Sequence, residues 1–133
     1  MKKEKDTYQA LKRNLPKVHW QRIETGGISR GIPDVNGCFA GKEFWIELKI
    51  LHGNRVSLTP QQVAWHMRRS KQGGRSWIMI DDPKTKTLSL VSGNQSVTLA
   101  NEGVSSCMVI QHQKPIDWEA LILDLCLTPQ TID

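Results

Sequence analysis

Apolar residues recur along the chain at several spacings, and each spacing predicts a different element. Tyr8, Leu11 and Leu15 lie three and four residues apart, which predicts a helix over residues 5–15 that Pro16 stops. Val18, Trp20 and Arg22 alternate loosely with His19, Gln21 and Ile23, the pattern of a first strand over residues 18–24 closed by Gly26-Gly27. Residues 26–33 then read as a glycine-rich loop. Alternation is sharpest over residues 43–50, where Phe44, Ile46, Leu48 and Ile50 interleave with Trp45, Glu47 and Lys49. That strand and residues 35–40 flank a tight turn at Gly41-Lys42, so the two form a hairpin.

Residues 52–57 are a polar loop, and the pattern then turns helical. Thr59 suits an N-cap and Pro60 the first helical position, while Gly73-Gly74 stops the run, which predicts a helix over residues 60–72. Residues 76–80, SWIMI, have the continuous apolarity of a buried strand. Residues 88–91 and 96–99 flank Gly93-Asn94 and read as a second hairpin, with a further strand over residues 107–111. Trp118, Leu121, Ile122 and Leu125 share one face of a closing helix over residues 117–127. Helix, strands, helix, strands, helix is the order of an α/β sandwich with helices flanking a central mixed sheet.

A chain of 133 residues suffices for one core, so residues 1–133 are expected to form a single domain. No apolar run approaches the roughly 20 residues that span a bilayer, and the start MKKEKDTYQALKR lacks the apolar segment of a secretory signal. The expected location is cytoplasmic. Cys38, Cys107 and Cys126 have no metal-site spacing and read as buried thiols. The net charge of +5 favours a polyanionic partner, and its distribution sharpens that reading. Lys2, Lys3, Lys5, Lys12, Arg13 and Lys17 form one cluster, and Arg68, Arg69, Lys71 and Arg75 a second. Singly these are solvated helix faces; flanking an acidic site they would track a phosphate backbone. Ser29 and Arg30, on the glycine-rich loop, are candidates to hold a phosphate through backbone amides and a guanidinium.

The candidate chemistry lies in residues 31–50, GIPDVNGCFAGKEFWIELKI. Strand alternation puts Glu47 and Lys49 on one face, and a hairpin in register brings Asp34 beside them. Two carboxylates suit a hard, hydrated cation such as Mg²⁺. An adjacent amine can orient water or offset charge on a phosphoryl group in its transition state. The trio therefore suits phosphodiester hydrolysis. His19, His52, His66 and His112 share no spacing and are read as structural or surface residues.

Gly31-Ile32-Pro33-Asp34 followed by Glu47-Leu48-Lys49 resembles the PD-(D/E)xK nuclease superfamily, with its restriction-endonuclease-like fold. Ser57-Leu58-Thr59-Pro60-Gln61-Gln62, with Trp65 and Gly73-Gly74 beyond it, is similar to the VRR-NUC branch and its phage-encoded Holliday-junction-resolvase-like relatives. The resemblance covers residues 22–80. It implies a Mg²⁺-dependent endodeoxyribonuclease, with Mn²⁺ as a substitute, in which Asp34 and Glu47 ligate the metal and Lys49 acts on the attacking water. It implies an assisting glutamine, Gln62, with Gln61 its immediate rival. It also implies a further upstream acid, for which Glu24 is the candidate, with Glu4 and Asp6 on the first helix as alternatives. Branched DNA is the implied substrate, a homodimer the implied form, and a host cytoplasm the location if the source is a phage. A sequence-recognising restriction or homing-type endonuclease is one rival reading. An inactive DNA-binding accessory protein on the same fold is the other.

Overall fold

The computed structural model describes residues 3–24 and 31–130. The elements follow in the order α1 (Glu4–Asn14), β1 (His19–Arg22), β2 (Val35–Phe39), β3 (Lys42–Ile50), α2 (Pro60–Lys71), β4 (Ser76–Asp82) and β5 (Thr87–Ser92). Then come α3 (Ser96–Glu102), β6 (Ile110–Gln113) and α4 (Trp118–Leu127), with short 3-10 turns on either side of α3. The strands form one six-stranded sheet in chain order. Every neighbouring pair is antiparallel except β3 and β4. Parallel strands cannot be joined by a tight turn, so α2 lies in the crossover between them. The expected helix-flanked mixed sheet is the architecture observed.

The sheet is covered on both faces, and strand alternation sorts the residues. Phe44, Ile46, Leu48, Trp77 and Met79 pack with Leu11 of α1 and with Leu121 and Leu125 of α4. Ile78, Ile80 and Val91 pack on the opposite face with Val56 and with Leu99 of α3. β4 is buried on both sides, which explains why SWIMI shows no alternation. The turn between β2 and β3 is Ala40-Gly41, one residue earlier than expected, with both residues in the left-handed region (φ 50° and 78°).

Two expectations fail on the C-terminal side. Residues 96–99 are the first turn of α3 rather than a strand. Ser-Val-Thr-Leu alternates over only four residues, and what it must bury is Leu99, which a helix serves as well. β5 takes its partner from later in the chain: Leu88 pairs with His112 in β6. The strand expected over residues 107–111 accordingly begins at Ile110. Cys126 is buried while Cys38 and Cys107 are half-buried, all three as free thiols.

Candidate active site

Three segments converge at one end of β3. The register pairs Val35 with Ile46, which sets Asp34 beside residues 47 and 48. Asp34 Oδ2 accepts a hydrogen bond from the Leu48 amide at 2.9 Å, and its carboxyl lies within hydrogen-bonding reach of that of Glu47. Glu47, only 1% exposed, faces α2. Gln62 Nε2 donates to Glu47 Oε2 at 3.2 Å, and Lys49 Nζ donates to Gln62 Oε1 at 3.2 Å. The sequence therefore draws Asp34, Glu47, Lys49 and Gln62 together.

The start of α2 fixes the glutamine. Thr59 Oγ1 accepts from the Gln62 amide at 3.1 Å while Gln62 Oε1 accepts from the Thr59 amide at 2.9 Å, a reciprocal capping box. The side chain that closes the helix start is thus the one that reaches Glu47 and Lys49. Gln61 is exposed, and its contribution is main-chain: Gly31 packs so closely that a Cβ there would overlap the Gln61 carbonyl. That contact ties the loop carrying Asp34 to the first turn of α2.

Burial, then the neighbouring Asp34 charge, pushes the Glu47 carboxyl up to about 9, against a smaller opposing pull from Lys49. His66, fully buried, is pushed down to about 4, chiefly by burial and secondarily by Lys49. The two have opposite consequences for stability. Folded Glu47 holds a proton that the unfolded chain releases near pH 4.5, so its contribution is lost as pH rises from 4.5 to about 9. Folded His66 refuses a proton that the unfolded chain takes up near 6.5, so its contribution is lost as pH falls from 6.5 to about 4. Between 4.5 and 6.5 the slopes offset; above 6.5 Glu47 acts alone. The melting temperature measured in chelator should therefore fall from pH 6.5 towards 9, and Glu47→Gln should flatten that fall.

The three candidates for a further upstream acid are placed differently. Glu24 is exposed after β1, and its charge is not among those acting on Glu47. Asp6 is engaged in capping α1, its Oδ2 accepting from the Lys3 amide at 2.9 Å. Glu4, in the first turn of α1, is the acid that Glu47 feels. Glu4 is exposed as a residue, yet its carboxyl is pushed up by partial burial; Lys49 opposes this, Asp34 adds to it and Arg22 opposes it. Sequence reasoning missed His66. Its Nε2 lies 3.4 Å from Glu47 Oε1, one helical turn after Gln62, and that i, i+4 spacing was visible in the chain.

The phosphate-tracking residues separate. Ser29 and Arg30 lie outside the described residues. Arg68 and Lys71 are exposed on α2. The Arg69 guanidinium lies 4.6 Å from the Trp65 ring and 5.4 Å from that of Trp45, and its stem leaves no room for a Cβ at Gly74. Arg75 still lines one groove with Arg68 and Lys71, but its guanidinium is committed to the main chain. It donates to the carbonyls of Leu125, Asp124 and Thr128, binding the end of α4.

Among the described residues no group of three or more His, Cys, Asp or Glu side chains is arranged to hold a metal ion. No described helix is long and apolar enough to cross a membrane. No protein-family model matches the chain, nor does any curated protein. Among solved structures, Hjc, a Holliday junction resolvase from the archaeal hyperthermophile Archaeoglobus fulgidus, is similar over 80% of this chain and 84% of its own. The TM-score is 0.52 and the identity 15%, so the likeness is one of fold.

Proposed function

We propose that the chain is a divalent-cation-dependent endodeoxyribonuclease of the PD-(D/E)xK type, of the VRR-NUC and resolvase-like branch, selective for branched DNA. The observation that carries this reading is the meeting of Asp34, Glu47 and Lys49 around the capping glutamine of α2. A fold shared with a Holliday junction resolvase supports it.

The donor set fits a Mg²⁺ or Mn²⁺ ion. Burial, then the neighbouring Asp34, disfavours a negative charge on Glu47 and pushes its carboxyl up to about 9, a penalty that a cation between the two carboxyls would relieve. Asp34 and Glu47 would be its ligands, with Glu4 adding negative charge that both carboxyls sense. Mg²⁺ keeps several waters and takes oxygens from substrate phosphates, so two protein carboxylates suffice. When bound, such an ion polarises the phosphoryl oxygen and acidifies water. The chain's own groups do the rest. Lys49, held by Gln62 Oε1, presents its ammonium to the attacking water or to the growing charge on the phosphoryl oxygens. Gln62 fixes the direction of both Lys49 and Glu47.

Arg68 and Arg69 hold the DNA backbone, together with the exposed lysines of α1; Ser29 and Arg30 remain candidates on their sequence alone. Arg69 is the strongest of these candidates. The two tryptophans hold its guanidinium in place, and among the described residues it has no carboxylate partner. Each phosphate contact contributes about 0.9 to the slope of log affinity against log salt. Arg69→Ala should make that slope shallower by about 0.9 in DNA-binding titrations across a salt series. An unchanged slope would assign Arg69 to packing alone.

Backbone contacts carry little sequence information, so recognition rests on DNA shape. Resolving a junction takes two cuts, which suits a homodimer. Leu123 and Leu127, four apart on the exposed side of α4, offer an apolar stripe for it. A panel of labelled four-way junctions, flaps and linear duplexes, incubated with Mg²⁺, Mn²⁺ or chelator, tests the reading. Cation-dependent cleavage of branched substrates in preference to duplex is expected. Cleavage of one duplex sequence alone would favour the restriction-type alternative, and binding without cleavage the accessory one.

A further inference from the structure

Helix α2 buries one residue completely, and that residue is a histidine. A helix lying on a sheet ordinarily turns aliphatic side chains inward, and the face α2 covers includes Ile78 and Val91 close by. His66 stands there instead, 0% exposed. Its Nδ1 lies 3.0 Å from Ser76 Oγ in β4, itself fully buried, and its Nε2 lies 3.4 Å from Glu47 Oε1. One neutral tautomer satisfies both contacts, with Nε2–H donating to the carboxylate and Nδ1 accepting from the serine hydroxyl. Gln62, one turn earlier, holds the other Glu47 oxygen at 3.2 Å. Both oxygens of the buried carboxylate are therefore held by a single helix.

The surroundings fix the ring. Trp65 meets the imidazole edge-on, with centroids 5.5 Å apart. Gly93 passes so close that a Cβ there would overlap Ser76 Oγ and stand 3.0 Å from His66 Nδ1. An imidazole packed this tightly cannot rotate away from Glu47.

We propose that His66 is a positioning residue for Glu47, holding the carboxylate in its metal-ligating direction through the buried Glu47–His66–Ser76 chain. The inference rests on the nuclease reading and deepens it. Groups that orient a ligating carboxylate typically account for 10–100-fold in metal affinity or activity. A purely space-filling histidine would affect stability alone.

The test compares His66→Leu, which fills the site without a donor, with His66→Gln, whose amide can donate to Glu47. Mn²⁺ affinity is read by calorimetry, alongside melting temperature and the rate of junction cleavage. His66→Leu should bind Mn²⁺ about 10–100-fold more weakly, and His66→Gln should recover most of that loss. Equal, wild-type Mn²⁺ affinity in both variants overturns the proposal, whatever their melting temperatures. If His66→Leu does not fold, Ser76→Ala decides, since it removes only the hydroxyl that orients the ring. Weakened Mn²⁺ binding supports the chain, and unchanged binding overturns it. A wild-type protein that takes up no Mn²⁺ overturns the nuclease reading itself, a failure distinct from wild-type uptake that the variants leave unchanged.

Discussion

Glu47→Gln and Lys49→Ala should each lower cleavage of branched DNA by about 10²–10³-fold or more, the scale of losing a preorganised charged group at a reacting phosphate. DNA binding should survive, since the backbone contacts lie elsewhere. Stability separates this loss from simple unfolding. In chelator folded Glu47 still carries a proton at neutral pH, so glutamine is its near-isostere; because folding no longer has to protonate the side chain, the melting temperature at pH 7 should hold or rise. Wild type should gain stability when Mn²⁺ is added, because a ligand that binds only the folded state raises its melting temperature. Glu47→Gln should gain none. Junction cleavage and thermal melts with and without Mn²⁺ read all of these effects.

Gly31→Ala should cost about 3 kcal/mol or more and remove cleavage with it. Gly31 has φ +74°, a conformation that costs an alanine roughly 1–2 kcal/mol. The larger part is steric. The added methyl would overlap the backbone of Gln61, at the start of α2. Either the helix retreats, drawing Gln62 away from Glu47, or the loop does, drawing Asp34 from Leu48. Gly41→Ala is the matched control. Its φ is also positive, at +78°, but a Cβ there meets nothing within 4 Å. It should cost only the conformational part, about 1–2 kcal/mol, and leave cleavage intact. Urea denaturation and junction cleavage of the two variants make the comparison.

What the sequence displayed most clearly was local. The β2–β3 hairpin carries a two-fold alternation with a glycine turn, and α2 has its threonine, proline and glutamine in capping order. Both are decided by neighbouring residues, so both can be read in one dimension, and the convergence of Asp34, Glu47, Lys49 and Gln62 follows from them. Contacts that depend on distant packing were hidden. Whether Glu4 or Asp6 approaches Glu47 depends on how α1 lies against β3, which no spacing encodes. Arg75 looked like part of a basic surface because its partners, the carbonyls ending α4, lie about fifty residues away. Residues 96–99 were misread because four alternating residues after Gly-Asn fit a strand or a helix equally, and β6 had already taken the place beside β5. His66 was half legible: its spacing from Gln62 was plain, but its burial against Ser76 was not.

The central claim is that Asp34 and Glu47 together bind a divalent cation on which cleavage depends. Its most direct test is calorimetric titration of the chelator-treated protein with Mn²⁺ at pH 7, in two buffers of different ionisation enthalpy, for wild type and Asp34→Asn. Metal binding displaces protons from its ligands, and Glu47 holds one up to about pH 9. The account predicts saturable uptake by wild type with release of about one proton, and weak or absent uptake by Asp34→Asn. No uptake by wild type, or equal uptake by both proteins, would contradict it.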